Sequence, residues 1–328
     1  MFRDNAIRLT FLKCETVAVL PKRPRYPSRR PGARTKYRPD LRWLALAVLL
    51  PLLSSCVLLT VEPRALLLQE DGAIRVRSLP CNASRLAASA GPMADASAAL
   101  NPEAIRVLTW NIHKEDDTGW QHDLMQFVRS NDIVLLQEIV LHDSLRRAIE
   151  DSGLSWVMAS SFVYRGDDVG VLTAARIAPQ ASCTERVVEP LIRLPKSAVI
   201  TWFRVAGTLP TLAVVNVHAI NFSLSLETYR AQFAALGDVL ATHRGPIIFA
   251  GDLNTWTDAR VDAVAETAAR LGLTEIPFAD DKRTLFMGKQ LDHLFIRGLE
   301  VIDAAAIAVT SSDHNPVAAT LRIPASGR

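Results

Sequence analysis

The sequence IIFAGDLN at residues 247–254 indicates the class of fold, because an apolar run turns abruptly into a polar one. Four consecutive apolar residues, 247–250, are typical of a strand that is buried on both faces. Asp252 and Asn254 follow at a spacing of two, so in an extended chain their side chains point to the same side. Gly251 predicts a close approach of the backbone to a ligand. The stretch therefore predicts a buried strand whose end opens into a polar cleft.

Polar side chains follow other apolar runs in the same way. Any one of them alone is ordinarily a solvated strand end or a hydrogen-bonded core histidine. Repeated at four or more strand ends, they predict a single cleft. The residues concerned, besides Asp252 and Asn254, are Asn111, Glu138, His218, Asn221, Asp292, Asp313 and His314.

The stretch from residue 105 onward alternates short apolar strands with amphipathic helices, roughly ten strands and four helices. The helices are predicted at Trp120–Arg129, Ser144–Glu150, Glu227–His243 and Arg260–Leu271. Many neighbouring strands have no helix between them, which disfavours a purely parallel doubly wound sheet. We therefore predict an α/β fold of two packed mixed β-sheets with helices outside them.

Charge is divided unevenly along the chain. Residues 1–42 hold twelve Lys and Arg against three Asp and Glu, so they carry +9, whereas all 328 residues together carry +3. The remaining 286 residues therefore carry −6. An acidic body lacks the overall attraction that drives tight binding of nucleic acid, although a local basic strip or a bound divalent cation would offset the charge.

Residues 43–61 (WLALAVLLPLLSSCVLLTV) contain no charged side chain. Their length is close to the roughly 20 residues that span a bilayer, and the basic residues before them predict a cytoplasmic N-terminus with an exported body. Three interpretations stay open. The segment is an uncleaved membrane anchor; or it is a cleaved signal or lipoprotein box (LSSC, 53–56) with Cys56 lipidated; or it does not export the body, which is then cytoplasmic.

These features predict four segments. They are a basic disordered leader (1–42), a hydrophobic anchor or signal (43–61), a tether of small and polar residues (62–104) and one large folded domain (105–328). No CxxC or Cys/His cluster with zinc spacing occurs among the four cysteines. Cys81 and Cys183 pair if the body reaches an oxidising compartment, and otherwise stay as two thiols.

The motifs resemble those of the endonuclease/exonuclease/phosphatase superfamily, and they occur in the family's order over residues 106–322. They are TWN at 109–111, LLQE at 135–138, NVHAIN at 216–221, GDLN at 251–254, LDH at 291–293 and SDHNP at 312–316. PLIRLPKSAVIT (190–201) and VVNVHAINFSL (214–224) resemble a bacterial subgroup of hypothetical proteins in it. The resemblance implies a DNase I-like four-layer α/β sandwich, with residues 105–328 as the catalytic domain.

The resemblance also implies a metal site and a phosphate site. Glu138 would be the main ligand of Mg²⁺ or Mn²⁺, with Asn111 beside it and Asp313 completing the shell; hard oxygen donors suit these ions. Asn221 and Asn254 would hold phosphoryl oxygens. Some nucleases of the family carry Asp two residues after the first Asn, where this chain has His113, which puts a second metal ligand in doubt.

The implied catalytic residues are Asp252, Asp292, His218 and His314. Asp252 would orient or deprotonate the attacking water. His314, oriented by Asp292, would donate a hydrogen bond to the phosphate or act as general base, and His218 would be a second phosphate-facing or acidic group. The implied reaction is in-line attack of water on phosphorus.

Three functions compete on this sequence. A nuclease-like phosphodiesterase would want a basic groove, which the acidic body disfavours. A phosphoesterase for a phospholipid or a small phosphorylated metabolite suits a membrane-adjacent body. A catalytically inactive binding module is disfavoured because the implied catalytic set is complete. Arg193 and Lys196 either touch substrate or lie in a solvated loop, and we expect a monomer.

Overall fold

The computed structural model describes residues 9–14, 56–62, 64–70, 74–77, 80–81, 98–207, 211–223 and 225–324. In chain order the strands are β1 (Leu9–Cys14), β2 (Cys56–Val61), β3 (Leu66–Glu70), β4 (Ile74–Arg77), β5 (Ile105–Asn111), β6 (Ile133–Val140), β7 (Ser155–Tyr164), β8 (Asp167–Ala175), β9 (Ala181–Val188), β10 (Pro195–Phe203), β11 (Leu212–His218), β12 (Ile247–Asp252), β13 (Thr274–Glu275), β14 (Leu285–Phe286), β15 (Lys289–Gln290), β16 (Asp292–Arg297), β17 (Glu300–Ala306) and β18 (Val317–Arg322). The α-helices are α1 (Trp120–Ser130), α2 (Asp143–Asp151), α3 (Glu227–Leu240) and α4 (Asp258–Leu271), and His113–Glu115 form one 3₁₀ turn.

The strands form two mixed sheets and one small hairpin. The first sheet has the order β1-β2-β7-β8-β6-β5-β18-β17, with β3 and β4 joined to β7. The second has the order β13-β16-β12-β11-β10-β9, and β14 pairs only with β15. In each sheet one central pair is parallel, β5 with β6 and β11 with β12. The other pairs are antiparallel, which explains why helices separate so few of them.

Successive side chains of the central strands point into different layers of the core. Ile248 and Ala250 of β12 pack between the two sheets, whereas Ile247 and Phe249 face α3 and α4. On β6 the same alternation puts Leu135 between the sheets and its neighbours against α1 and α2. Side chains on a strand point alternately to opposite faces, so an unbroken apolar run is required where both faces are covered. The predicted four-layer α/β sandwich is confirmed.

Differences from the predicted elements lie mostly at their ends. The central strands run one to several residues further, into the polar groups that follow them. α3 ends at Leu240 instead of His243, because the chain turns there and the His243 backbone N–H donates to the Leu240 carbonyl at 3.0 Å. β9 has no counterpart in the prediction, since its sequence ASCTERVV lacks a continuous apolar run.

Part of the predicted tether forms a strand of the first sheet. β3 pairs with β7 over four residues, and Leu67 and Leu68 are buried in the cores of the sandwich. Without β3, the backbone of β7 would present unpaired groups at that position. The tether residues 82–97 lie outside the described part of the chain, as do most of the predicted leader and residues 43–55.

The hydrophobic segment and the leader each contribute one described strand. β2 pairs with β7 through Leu59 opposite Tyr164 and Thr60 opposite Val163, and β1 pairs with β2. Six residues of the predicted leader, Leu9–Cys14, therefore form a strand of this sheet. Within the described residues, no helix combines the length and the apolar character that a membrane crossing needs.

A disulfide joins the predicted tether to the second sheet. Cys81 is bonded to Cys183 of β9, across a sequence separation of 102 residues, and Pro80 forms a bridge with Thr184 next to it. A covalent link across so long a loop restricts the unfolded chain strongly. Of the two alternatives that the sequence left open, the structure has the pair bonded.

Buried amides connect the two sheets. Gln137 of β6 donates through Nε2 to Oδ1 of Asn216 on β11 at 2.7 Å and to Oγ1 of Thr109 at 3.0 Å. Asn216 in turn donates through Nδ2 to the carbonyl of Leu172 at 2.9 Å and of Leu136 at 3.2 Å. These residues are fully buried, so the hydrogen bonds between Gln137, Asn216 and Leu172 form only while the two sheets keep this relative position.

We expect Cys81→Ala to lower the free energy of unfolding by about 2–5 kcal/mol, because the long loop is no longer closed in the unfolded chain. Urea unfolding of the oxidised protein, followed by circular dichroism, measures the loss, and Ser182→Ala, next to Cys183 on β9, is the control that should change little. Identical unfolding of oxidised and reduced wild-type protein would contradict the disulfide.

We expect Asn216→Val to lower the free energy of unfolding by about 1–3 kcal/mol, because it leaves buried polar partners on the opposite sheet unsatisfied. The matched control is Thr201→Val, which removes one hydroxyl contact to the Val214 carbonyl within the same sheet and should cost less. Equal losses in the two variants would show that the amide contacts between the sheets contribute nothing special.

Candidate active site

One edge of the sandwich collects most of the candidate side chains. The parallel pairs β5–β6 and β11–β12 both run toward this edge, and β16 starts there because Asp252 pairs with Asp292. The loop before β18 reaches the same edge, since Val317 pairs with Thr109 near the end of β5. The residues brought together are Asn111, Glu138, His218, Asp252, Asn254, Asp292 and His314.

Asp252 is the centre of this group. Its Oδ2 accepts a hydrogen bond from Asn111 Nδ2 at 3.0 Å and lies 3.4 Å from His218 Nε2. Its Oδ1 accepts from the Asn254 backbone N–H at 3.0 Å. Only 2% of Asp252 is exposed. The carboxylate is thus held by donors from both sheets, and it can present an oxygen to a ligand only on the cleft side.

Gly251 lets two neighbouring strands lie close together. Its φ is +141°, and a Cβ at this position would lie 1.9 Å from the Val217 carbonyl oxygen. The missing side chain therefore lets β12 approach β11 closely. The approach of this glycine to a ligand stays a prediction.

His314 and Asp292 form a buried pair. His314 Nδ1 lies 2.7 Å from Asp292 Oδ2, and His314 Nε2 lies 4.0 Å from Asp252 Oδ2. Burial acts to lower the pKa of His314, but Asp292 and Asp252 outweigh it and raise that pKa to about 10. At neutral pH the ring is therefore an imidazolium whose Nδ1–H donates to Asp292, and Nε2–H is left to donate toward the cleft.

His218 has the opposite protonation state. Burial, helped by the charge of Lys196, lowers the pKa of His218 to about 4. Lys196 Nζ lies 2.7 Å from His218 Nε2, so the lysine donates and the neutral ring accepts. The two histidines thus lie in one cleft with pKa values shifted in opposite directions. Such pairs are typical of sites that transfer protons.

Glu138 is aimed into the cleft by an irregularity in β6. Its φ is +54°, and the pairing of β6 with β8 shifts register between Leu136 and Ile139. One carboxylate oxygen binds Lys114 Nζ, and the other lies 3.6 Å from Lys196 Nζ and 3.5 Å from His218 Nε2. Burial opposes ionisation, but these three groups hold the pKa of Glu138 well below its usual range.

The donor chemistry at Glu138 fits a hard divalent cation. The carboxylate is an ionised oxygen donor of the kind that Mg²⁺ and Mn²⁺ take, and a cation bound to it would displace the ammonium groups of Lys114 and Lys196 that pair with it in this structure. Asp252, Asp292 and His314 form another group that could hold a cation, because their possible metal-ligand atoms lie within 4.8 Å of one another. We assign that trio to proton handling, because a cation there would displace the proton that His314 shares with Asp292.

Three candidates have surroundings that differ from the expectation. Asn254 donates through Nδ2 to the Ala219 carbonyl at 3.1 Å, which ties the ends of β11 and β12 together. Asn221 accepts from Trp256 Nε1 at 3.0 Å through its side-chain oxygen. Asp313 is 58% exposed at its side chain and lies 3.7 Å from His113 Nδ1, and no hydrogen bond or ion pair of the described residues joins it to Glu138.

Two lysines complete the cleft, and the predicted site did not contain them. Lys196 begins β10 beside His218, and Lys114 lies in the 3₁₀ turn where three successive residues have positive φ. In the sequence Lys196 is a single basic residue before an apolar strand, and such a residue is equally typical of a solvated loop. Only the pairing of β10 with β11 brings it to the cleft.

The comparisons agree with this geometry. The model of the endonuclease/exonuclease/phosphatase family matches residues 108–314. A UPF0294 protein of Vibrio parahaemolyticus is 35% identical over 277 residues, which cover 84% of this chain and 94% of that protein. A UPF0294 protein of Klebsiella pneumoniae is 40% identical over 215 residues, which cover 66% of this chain and 81% of that protein.

Solved structures share the fold at low sequence identity. The human nocturnin catalytic domain, solved with a bound sulfate, aligns with a TM-score of 0.54 at 18% identity and covers 69% of this chain and 97% of its own. An endonuclease/exonuclease/phosphatase family protein from Bacteroides thetaiotaomicron aligns with a TM-score of 0.52 at 19% identity, covering 67% and 98%. On the family match and the close relatives, this chain belongs to the endonuclease/exonuclease/phosphatase family.

Proposed function

We propose that this protein is a divalent-metal-dependent phosphoesterase that hydrolyses a phosphodiester or a phosphomonoester by in-line attack of water. The observation that carries the proposal is the arrangement around Asp252. A buried carboxylate lies between a neutral His218 and a protonated His314, 3.4 and 4.0 Å away. Such a group can handle a water proton while a neighbouring cation binds the phosphate.

In this mechanism Asp252 orients the attacking water and accepts one of its protons. Asn111 fixes the carboxylate by donating to Oδ2, so the remaining lone pairs face the cleft. The water oxygen bonds to phosphorus, the bond from phosphorus to the leaving oxygen breaks, and a proton goes to that oxygen. The products are an alcohol and the remaining phosphate.

His314 donates a hydrogen bond to a phosphoryl oxygen, because its Nε2–H faces the cleft and Asp292 keeps the ring charged. The negative charge on phosphoryl oxygen grows toward the transition state, so a fixed cationic donor stabilises the transition state more than the substrate. His218 is a second group facing the phosphate, and its neutral ring relays protons through the hydrogen bond with Lys196.

The ion is Mg²⁺ or Mn²⁺ in this proposal, held by Glu138 and Asn111, and when bound it would stabilise the charge that develops on the phosphoryl oxygens and the leaving group. Asp313, at the mouth of the cleft, is the proposed third ligand. Asn221 and Asn254 border the same cleft and are the proposed phosphate contacts.

The alternative of an inactive binding module has less support. A binding module needs no pair of histidines in opposite protonation states beside a buried carboxylate. Among phosphate esters, the −6 charge of residues 43–328 disfavours nucleic acid. Binding a phospholipid or a small phosphorylated metabolite does not require a basic groove.

We also propose that the catalytic domain is exported and membrane-associated, through residues 43–61 as an anchor or through a lipidated Cys56. In the structure β2 takes residues 56–61 of this segment and pairs with β1, so either attachment would separate β1 from β2. The Cys81–Cys183 disulfide supports export, because such bonds persist in oxidising compartments and are rare in the cytosol of mesophiles. The alternative is a cytoplasmic protein, in which the pair would be reduced.

We expect His314→Ala, like Asp252→Ala, to lower the turnover of phosphate esters by about 10²–10⁴-fold without unfolding the protein, since each removes a group that acts on the reacting phosphate. Hydrolysis of bis-p-nitrophenyl phosphate, supercoiled plasmid and phospholipid vesicles with Mg²⁺ measures it. His122→Ala, an exposed histidine on α1, is the control. Near-wild-type turnover in either variant would overturn the assignment.

We expect EDTA to abolish turnover, and we expect Glu138→Gln to weaken Mn²⁺ binding by at least about tenfold, because a charged oxygen ligand becomes neutral. Isothermal titration with Mn²⁺ gives the affinity independently of activity. Glu266→Gln, at a side chain exposed on α4, is the matched control. Unchanged affinity in Glu138→Gln would place the metal elsewhere.

A further inference from the structure

Exposed apolar side chains are concentrated at the edge that carries the candidate active site. In the described part of the chain ten large hydrophobic residues are exposed, and seven of them lie in three turns at this edge. We name these seven the apolar rim; they are Val188, Leu191, Ile192, Phe222, Leu285, Phe286 and Met287. Scattered exposed hydrophobic residues are ordinary, but a cluster beside a cleft indicates an interaction surface.

The three turns of the rim are joined to one another. Buried Glu189 accepts through Oε1 from the backbone N–H groups of Asn221 and Phe222, at 2.5 and 3.3 Å, which ties the first turn to the second. The Asn221 side chain accepts from Trp256 Nε1, and the Trp256 ring meets the edge of Phe286 with centroids 6.4 Å apart. The rim is therefore one connected surface.

The rim borders the catalytic residues. Thr284, just before the β14–β15 hairpin, donates to the Asp313 carbonyl at 3.1 Å and accepts from the Asn315 N–H at 2.9 Å, so it brackets His314. The turns follow the order of the second sheet, because they join β9 to β10, follow β11 and precede β16. Exposed apolar side chains thus lie at this edge next to β9, β10, β11 and β16.

The uncharged hydrophobic segment joins the sandwich at this same edge, through β2. β6 runs toward the edge, β8 starts there opposite Val140, and the end of β7 at Tyr164 pairs with the start of β8. β2 is antiparallel to β7, with Leu59 opposite Tyr164, so Cys56 lies at or beyond the edge. The uncharged residues 43–55 therefore connect to the domain on the side that carries the rim.

We infer that the apolar rim is a membrane-docking surface that seats the catalytic edge on a lipid bilayer. An anchor that remains and a chain cut at Cys56 both attach the domain at this edge, so the rim faces the bilayer in either case. Short turns with aliphatic and Phe side chains insert readily into the interfacial region of a membrane.

The composition of the rim favours lipid over nucleic acid. Surfaces for single-stranded nucleic acid combine a basic groove with aromatic rings on which bases stack. Five of the seven rim side chains are Val, Leu, Ile or Met, which offer no ring. Residues 43–328 carry −6, which opposes a phosphate backbone.

The substrate class follows from this position, and that step rests on the proposed function. A phosphoesterase cleft held at the lipid surface meets the headgroup phosphates of phospholipids. Water adds to the headgroup phosphorus, one bond from phosphorus to an ester oxygen breaks, and that oxygen leaves as an alcohol with the proton that the water released. No oxidant or further reactant is needed.

The docking is tested by fluorescence on the full-length chain with Cys14→Ser and Cys56→Ser, so that only an introduced cysteine is free. An environment-sensitive label is placed at Met287→Cys, and the control label at Ile302→Cys. Both positions are exposed, 71% and 53%, but Ile302 lies at the end of β17 where Glu300 pairs with Arg322, the end remote from the His314 loop. Vesicles contain phosphatidylethanolamine and phosphatidylglycerol, with and without quenchers on the acyl chains.

We expect the emission of the label at position 287 to shift to the blue and to be quenched by the acyl-chain quenchers, while the label at 302 stays in water. Docking is overturned if the label at 287 stays in water, if both labels respond equally, or if the label at 287 responds to a DNA oligonucleotide instead of vesicles. This readout does not depend on activity.

A second experiment tests the substrate class. Leu285→Ser/Phe286→Ser/Met287→Ser is compared with Val261→Ser/Val301→Ser/Ile302→Ser, the three exposed hydrophobic residues outside the rim. We expect the ratio of vesicle phospholipid hydrolysis to bis-p-nitrophenyl phosphate hydrolysis to fall about tenfold in the first triple variant and to stay unchanged in the second. An unchanged ratio in both overturns the lipid substrate. Wild-type protein that docks but hydrolyses neither ester contradicts the proposed function and leaves docking standing.

Discussion

The buried hydrogen bond between Gln137 and Asn216 is the constraint on which the site depends. It joins one sheet to the other at 2.7 Å in the middle of the apolar core, where an unpaired amide costs about 1–3 kcal/mol. Apolar packing alone would tolerate small shifts of one sheet over the other. Gln137 is the residue before Glu138, and Asn216 lies two residues before His218, so fixing the amides also fixes the groups at the catalytic edge.

The cleft above this bond balances its charges internally. Three carboxylates, those of Glu138, Asp252 and Asp292, lie close together and largely buried. Lys114, Lys196 and the protonated His314 are the cations beside them. Carboxylates so close to one another would otherwise repel and take up protons. Lys114 and Lys196 keep Glu138 ionised, as its proposed role of metal ligand requires, and burial together with these lysines leaves His218 neutral.

The position of the cleft in the sandwich also decides what can reach it. Parallel strands place their C-terminal ends together, and ligand sites form there in sheets of this kind. In this protein the same edge receives the chain from the hydrophobic segment and carries the apolar rim. The proposed attachment, docking and chemistry thus share one side of the molecule.

The sequence by itself determined the layered fold and the identity of most groups in the cleft, because buried strands need continuous apolar runs and the polar residues that end them stand out, as in IIFAGDLN. It could not place Lys196 in the cleft, because a single lysine before a strand looks the same in the sequence whether it lies in a cleft or in a solvated loop. It could not give the part that residues 66–70 take in the first sheet, because strand pairing is a contact between distant segments. The opposite protonation states of His218 and His314 were likewise decided by tertiary structure. Burial and Lys196 outweigh the carboxylates near His218 and lower its pKa, whereas Asp292 and Asp252 outweigh burial at His314 and raise its pKa.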